Sequence, residues 1–174
     1  MRRIYPILAA IGLNACSTLA LAASTTANVS ATIFRPIAVA TNANLSMGAI
    51  VRPSTGSGTV TLSPANVQTL TGTNAVWLAS PASTVANFTV TGEGGQAFTL
   101  AIDASDTMTN SGAGGGTLRV TTRNDAGCTS ACALSGVLGG AGSMSFNVGG
   151  SFPITSTTAP GAYSGSISVS ATYN

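Results

Sequence analysis

The C-terminal stretch "GAYSGSISVSATYN", residues 161–174, decides the fold class. From Tyr163 to Tyr173 its odd-numbered positions are Tyr, Gly, Ile, Val, Ala and Tyr, and every even-numbered position between them is Ser or Thr. Successive side chains of a β-strand point to opposite faces, so this alternation predicts a strand with one buried face. The chain therefore ends on its most regular predicted strand.

Shorter runs of the same kind fill most of the chain before that strand. Segments that carry glycine, such as "TGEGGQ" and "NVGGS", separate them and predict turns. Residues 88–102, "FTVTGEGGQAFTLAI", predict one hairpin, with Phe88 and Val90 facing Phe98 and Leu100. No segment keeps an apolar stripe at helical spacing, so many short strands predict an all-β sandwich. The runs are NLSMGAIV (44–51), GTVTLS (58–63), AVWLAS (75–80), NFTVTG (87–92), AFTLAI (97–102), TLRVTT (117–122) and SMSFNV (143–148).

Residues 1–22 have the form of an export signal. Two arginines precede an apolar run, and Ala20-Leu21-Ala22 is a small-x-small site, so we expect cleavage between Ala22 and Ala23. A second processing route is open, because Leu13-Asn14-Ala15-Cys16 is close to a lipoprotein box with Cys16 as the acylated residue. Polar residues and a proline interrupt the apolar run, so we expect no membrane span in the mature chain.

The composition excludes several classes of function. Once the signal is removed, four Arg face four Asp and Glu, and the sequence has no Lys and no His. Four scattered cations cannot displace counterions from nucleic-acid phosphates, so we expect no nucleic-acid partner. A hydroxyl nucleophile needs a neighbouring base, and neither a Ser-His-Asp triad nor a Ser-Lys dyad can be built. We therefore expect no enzymatic activity and no cofactor.

Cys128 and Cys132 form an even pair once Cys16 has left with the signal. In an oxidising compartment such a pair predicts a disulfide that closes a very short loop. The spacing is not Cys-x-x-Cys, and two thiols without His cannot supply the four ligands of a structural zinc site. The pair therefore predicts a pinned surface loop and no metal site.

The start of the mature chain has its own alternation, which separates residues 23–34 from a β-sandwich domain at residues 35–174. Ala27, Val29, Ala31 and Ile33 are apolar, and the residues between them are polar. The alternation ends at Phe34, and the next proline cannot donate to a sheet ladder. Residues 23–34 are thus either an N-terminal extension or a first strand.

Three segments carry a resemblance to a known family. "LSMGAI", "FTVTGEGGQAFTLAI" and "GAYSGSISVSATYN" resemble a family of exported bacterial proteins catalogued as domain of unknown function 4402. The resemblance extends from about Ala31 to Asn174, and the ending is its most specific part. Because that family has no settled activity, the resemblance implies export and a β-rich domain, and no particular chemistry.

The ending also resembles the C-terminal motif of chaperone–usher pilins, with an aromatic residue second from the end and a glycine fourteenth. Counted back from Asn174, Tyr173 is second and Gly161 is fourteenth. The resemblance implies an immunoglobulin-like, pilin-like sandwich that lacks its last strand. It also implies that a periplasmic chaperone's edge strand engages Ile167, Val169 and Tyr173. Gly161, Tyr163, Ile167, Val169 and Tyr173 would then form the strand beside an open groove.

From this resemblance we expect a structural subunit of a bacterial surface fibre, assembled by donor-strand exchange. The donor residues would be Ala27, Val29, Ala31 and Ile33, and the partners would be copies of the chain or related subunits, a periplasmic chaperone and an usher. The expected location runs from the periplasm to the cell surface or medium. Two alternatives stay open: a self-contained surface or periplasmic β-domain, which could be a lipoprotein, and a carbohydrate-binding adhesin that uses Trp77 or the Asp103/Asp106 turn.

Overall fold

The computed structural model describes residues 23–126, 132–134 and 138–174. The chain divides into two compact units, one that ends at Thr32 and one from Ile33 to Asn174. The second unit holds every strand of the described residues, and these residues include no helix. The strands are β1 (Ala38–Ala43), β2 (Ile50–Val51), β3 (Ser57–Leu62), β4 (Gln68–Leu70), β5 (Val76–Trp77), β6 (Ala86–Thr91), β7 (Phe98–Ile102), β8 (Ser105–Asn110), β9 (Thr117–Asn124), β10 (Cys132–Leu134), β11 (Ser143–Thr155), β12 (Tyr163–Ser164) and β13 (Val169–Tyr173).

The strands form two main antiparallel sheets and a short ribbon. The large sheet has the order β1-β6-β11-β9-β8-β12, and β3 joins it by pairing with both β11 and β4. The small sheet has the order β10-β7-β13, and β2 pairs with β5 in the ribbon. The strand alternation explains the layers, because the large sheet turns most of its apolar residues inward and most of its Ser, Thr and Asn outward. Thr122 and Asn110 are exceptions, since both are buried. The predicted all-β sandwich is confirmed.

Two hydrophobic clusters fill the space beneath the large sheet. In the first cluster, Phe88 and Phe146 of the large sheet stack at 5.6 Å between ring centroids, and Phe98 and Leu100 of the small sheet belong to the same cluster. The second cluster contains Val60, Val120, Phe152 and Ile154. Partly buried side chains pack against the second cluster, among them Met47, Ile50 and Trp77. The small sheet thus covers one half of the core, and the other half has a thinner cover.

The predicted hairpin over residues 88–102 is wrong in one respect. β6 pairs with β1 and β11 in the large sheet, whereas β7 pairs with β10 and β13 in the small sheet. Phe88 and Val90 therefore meet Phe98 and Leu100 across the core and not across a hydrogen-bonded ladder. The six residues between the strands, three of them glycine, are enough to carry the chain across the roughly 10 Å between packed sheets.

Two other sequence predictions also need correction. "NVGGS", predicted as a turn, lies inside β11, where that strand exchanges β6 for β3 as its neighbour. A Cβ on Gly149 would lie 2.1 Å from the carbonyl oxygen of Leu62, so glycine here permits close approach and does not make a turn. Residues 44–51, predicted as one strand, contain only β2 and an isolated bridge from Ser46 to Thr84.

Some predicted features lie at or beyond the limits of the described residues. Cys128 and Ala22 are outside them, and of Cys132 the structure gives only its place at the start of β10. Ala23, on the other side of the expected cleavage site, is the first described residue and is exposed. The disulfide and the processing site therefore stay predictions.

Candidate functional site

The C-terminal stretch, predicted as one strand, changes sheets in the middle. Tyr163 and Ser164 pair with β8 of the large sheet, whereas β13 pairs with β7 of the small sheet. Two carboxylates hold the residues between: Asp106 Oδ2 accepts the N–H of Ser166 at 2.6 Å, and Asp103 Oδ2 accepts the N–H of Ser168 at 3.0 Å. The stretch thus passes from the edge of the large sheet to the edge of the small sheet.

A groove of about 730 Å³ lies between this crossing and residues 45–52. Its floor is the second hydrophobic cluster, because Val120, Phe152 and Ile154 line it. The residues 161–165 and Ile167 form one wall, and Leu45, Met47 and Ile50 contribute to the other. Ligand sites are typically concave and mostly apolar, with volumes of about 300–1,000 Å³, and this groove has that character.

A second cavity of about 420 Å³ adjoins the groove. It shares Leu45, Gly165 and Ile167 with the first cavity and extends to the end of β1 and to Phe88. Phe88 belongs to the first hydrophobic cluster. The two cavities together reach both halves of the core, and Ile167 lies where they meet.

Beyond the second cavity, edge strand β1 of the large sheet and edge strand β13 of the small sheet lie close together. Among the described strands, β1 has a partner only in β6 and β13 has a partner only in β7, so each is an edge. Cα atoms of β1 and β13 come within 8 Å of each other. Neighbouring strands lie about 4.8 Å apart, so a strand inserted between two others needs about 9.6 Å. We call the gap between the edges of the two sheets the seam. It is open beside residues 161–167, and beside β13 it is too narrow for a further strand.

This geometry separates the five residues predicted beside the groove. Gly161, Tyr163 and Ile167 line the larger cavity. Val169 and Tyr173 lie on β13 and pack against the first hydrophobic cluster, and neither is among the described residues that line the two cavities. The Tyr173 hydroxyl instead accepts the N–H of Glu93 and donates to the carbonyl of Arg35.

The predicted donor residues are all exposed to solvent. Val29 is 95% exposed and Ile33 is 91% exposed, and Ala27 and Ala31 are exposed as well. Residues 23–37 belong to no strand, and the first strand of the sandwich begins at Ala38. Burial of a Val or Ile side chain contributes about 1.5–3 kcal/mol relative to full exposure, which opposes the entropy lost when the segment is ordered on an apolar surface.

The structure gives the surroundings of the residues considered for an adhesin. Trp77 is half-buried and packs against the second hydrophobic cluster, and its buried Nε1 has no hydrogen-bond partner among the described residues. One carboxylate oxygen of Asp103 accepts the backbone N–H of Ser168, and one of Asp106 accepts that of Ser166. In the described part of the chain, no three His, Cys, Asp or Glu side chains gather where they could hold a metal ion.

Sequence reasoning missed the wall formed by Leu45, Met47 and Ile50. Residues 44–51 alternate enough to predict a strand, yet Gly48 has a positive φ of 71° and a Cβ there would lie 2.8 Å from the carbonyl oxygen of Pro81. A glycine inside an alternating run is the signal that could have indicated an irregular wall.

A family model described as "Domain of unknown function (DUF4402)" matches residues 37–173. No curated protein matches the chain, and no solved structure matches it. Within the described residues, no helix has the length and apolar character needed to cross a membrane.

Proposed function

The chain belongs to the DUF4402 family, and we propose that it serves as a non-enzymatic structural subunit of a bacterial surface fibre. Subunits join by donor-strand exchange: residues 27–33 of one copy enter the groove beside residues 161–167 of the next. The fold is then an immunoglobulin-like sandwich whose last strand comes from a neighbour. The chain is exported, and fibres form between the periplasm and the cell surface.

The groove is the observation that carries this proposal. Its floor consists of core side chains that are only 3–6% exposed, yet a cavity of about 730 Å³ lies directly above them. Protein interiors are normally packed to the density of organic crystals. The proposal takes this opening as the place of an element of the fold that a neighbouring copy supplies.

The exposed segment suits the groove in its pattern of apolar residues. Its four apolar residues, Ala27, Val29, Ala31 and Ile33, fall on one face when the backbone is extended. A strand of seven residues spans about 23 Å at about 3.3 Å per residue. Strand addition draws affinity from backbone hydrogen bonds and specificity from alternate side chains. Residues 165–168 of the groove wall belong to no strand, so the donor segment would add beside them.

The resemblance of the C-terminus to chaperone–usher pilins supports the same function. The glycine at residue 161 and the aromatic at residue 173 stand where that motif has them. A subunit with an open apolar groove aggregates unless something covers the groove before assembly. A periplasmic chaperone that engages Ile167 and Val169 would provide that cover, and an usher would exchange it for the donor segment.

The test is the assembly state of the processed chain. We expect the purified chain from Ala23 onward to form ladders of multimers that resist heat in detergent. Removal of residues 23–33 abolishes the ladders, because the donor residues are gone, whereas removal of residues 23–26 preserves them. Multimers that persist without residues 23–33 would overturn donor-strand exchange.

A self-contained β-domain is the second candidate, favoured by the narrow seam between β1 and β13. In that case the groove is a surface feature and residues 23–33 are a leader that contributes nothing to assembly. A stable monomer with and without residues 23–33 would establish this alternative.

A further inference from the structure

The hydroxyl of Tyr173 ties the end of the last strand to the base of the N-terminal segment. It donates to the carbonyl oxygen of Arg35 at 2.8 Å and accepts the backbone N–H of Glu93 at 2.6 Å. The Glu93 carboxylate in turn accepts the backbone N–H of Arg35 at 3.2 Å. Three separate parts of the chain therefore meet at one phenol oxygen. We call Tyr173, Arg35 and Glu93 the clamp.

The surroundings of the clamp are shaped for the phenol. A Cβ at position 92 would lie 2.4 Å from Tyr173 Oη, so Gly92 leaves room for the hydroxyl. The ring of Phe34 lies 6.3 Å from that of Tyr173. The ion pair of Arg35 with Glu93, at 3.6 Å, joins side chains that are 74% and 31% exposed, and exposed pairs of this kind contribute little. Two hydrogen bonds therefore restrain the backbone of residue 35: the phenol donates to its carbonyl, and the Glu93 carboxylate accepts its N–H.

The clamp lies at the end of the sandwich where β1 starts and β13 finishes. Ala38 pairs with Thr91 and Tyr173 pairs with Phe98, and residues 92–97 join these two partner strands. To reach its own groove, the segment 27–33 would have to reverse at residues 34–37 and run parallel to β13. The backbone of a residue that precedes proline is biased to extended conformations, and Arg35 precedes Pro36.

We infer that Tyr173 is a positioning residue: by holding the Arg35 carbonyl it prevents residues 27–33 from folding back into their own groove and reserves them for a second copy. This inference rests on the proposed function for the identity of the groove's occupant. It gives Tyr173 a role within its own subunit before assembly. The groove residues Tyr163 and Ile167 act later, when they receive the segment of a second copy.

The chain supplies its own probes for the test. Trp77 is the only tryptophan, and it packs against the cluster that floors the groove. The sequence has no lysine, so an amine-reactive dansyl group labels the processed chain only at its N-terminus. Energy transfer from Trp77 to dansyl, measured on monomers isolated by gel filtration, reports whether the segment has folded back.

Tyr173→Phe removes the hydroxyl and keeps the ring. We expect its monomer to show clearly more transfer than the wild-type monomer and its assembly to slow severalfold. Thr99→Val is the matched control, because it removes a hydroxyl contact to Asn174 at the same end of the sandwich and leaves the clamp intact. Its transfer and assembly stay at the wild-type values. Near-UV circular dichroism verifies the fold, and Gly92→Ala, which displaces the phenol, replaces Tyr173→Phe should that variant unfold.

Wild-type transfer and wild-type assembly in Tyr173→Phe would overturn the inference. The monomer measurement stands independently of assembly. If the wild-type chain forms no multimers, the proposed function fails, and the transfer in Tyr173→Phe still decides whether the phenol restrains the segment.

Discussion

Asp103 and Ser168 are joined by two hydrogen bonds, one in each direction. The N–H of Asp103 donates to the carbonyl of Ser168 at 3.0 Å, and the N–H of Ser168 donates to Asp103 Oδ2 at 3.0 Å. This pair marks the point where the C-terminal stretch leaves the large sheet and enters the small one. It explains how an alternating segment is bent at the edge of the groove without a proline or a bulge.

We expect Asp103→Ala to lower the free energy of unfolding by about 1–2 kcal/mol, because the Ser168 N–H loses a charged acceptor. Asp103→Asn keeps an acceptor oxygen and should cost about half as much. Urea unfolding provides the free energies, and amide hydrogen exchange at Ser168 should accelerate in the alanine variant alone. An alanine variant of wild-type stability, with unchanged exchange at Ser168, would refute this role of Asp103.

The alternation of the donor segment predicts which of its residues tolerate a charge. Val29→Asp places a carboxylate on the face that enters the groove, and burial of an unpaired charge is costly. We expect assembly to weaken by at least about 100-fold, which corresponds to about 2.7 kcal/mol. Ser30→Asp is the matched control, since its side chain faces away from the groove in an extended segment. Multimer yield at several protein concentrations compares the two, and equal losses would contradict a strand-like donor.

Blocking the groove provides a second test on the acceptor side. Ala162 is exposed and lines the larger cavity, so Ala162→Trp puts its ring into the open space and not into the core. We expect the variant to lose assembly and to keep the wild-type free energy of unfolding. Thr121→Trp, on the exposed face of the large sheet, should assemble normally. Normal multimers from Ala162→Trp would show that the donor binds elsewhere.

The sequence predicts the fold class well because strand alternation is a local property. Strands β3, β6, β7 and β9 lie within a residue or two of the predicted runs. What the sequence could not predict is which sheet each strand joins. A hairpin and two facing sheets would both bring Phe88 and Phe98 together, so the sequence pattern does not distinguish the two arrangements. The two glycines inside β11 have the same local form as a turn, and only the tertiary structure explains them: Gly149 lies against the Leu62 carbonyl and Gly150 against the Val120 side chain.

The candidate site was predictable in part for a related reason. The exposed alternating segment at residues 27–33 and the groove wall at residues 161–167 are visible as patterns in the sequence. Tyr173 has the same apolar pattern but faces a different partner, because its hydroxyl finds Arg35 and Glu93 from distant parts of the chain. Alternation indicates which face a side chain lies on, and it does not indicate what that face meets.

The most direct measurement titrates a peptide of residues 23–34 into the domain that lacks residues 23–33 and follows thermal unfolding. If the groove is the binding site of this segment, the peptide binds only the folded state and stabilises it. The gain in the free energy of unfolding is about 2.7 kcal/mol at a free peptide concentration about 100 times the Kd. The same peptide with Asp in place of Val29 should leave the unfolding midpoint unchanged. A midpoint that fails to rise at any peptide concentration, or that rises equally with the substituted peptide, would contradict the account.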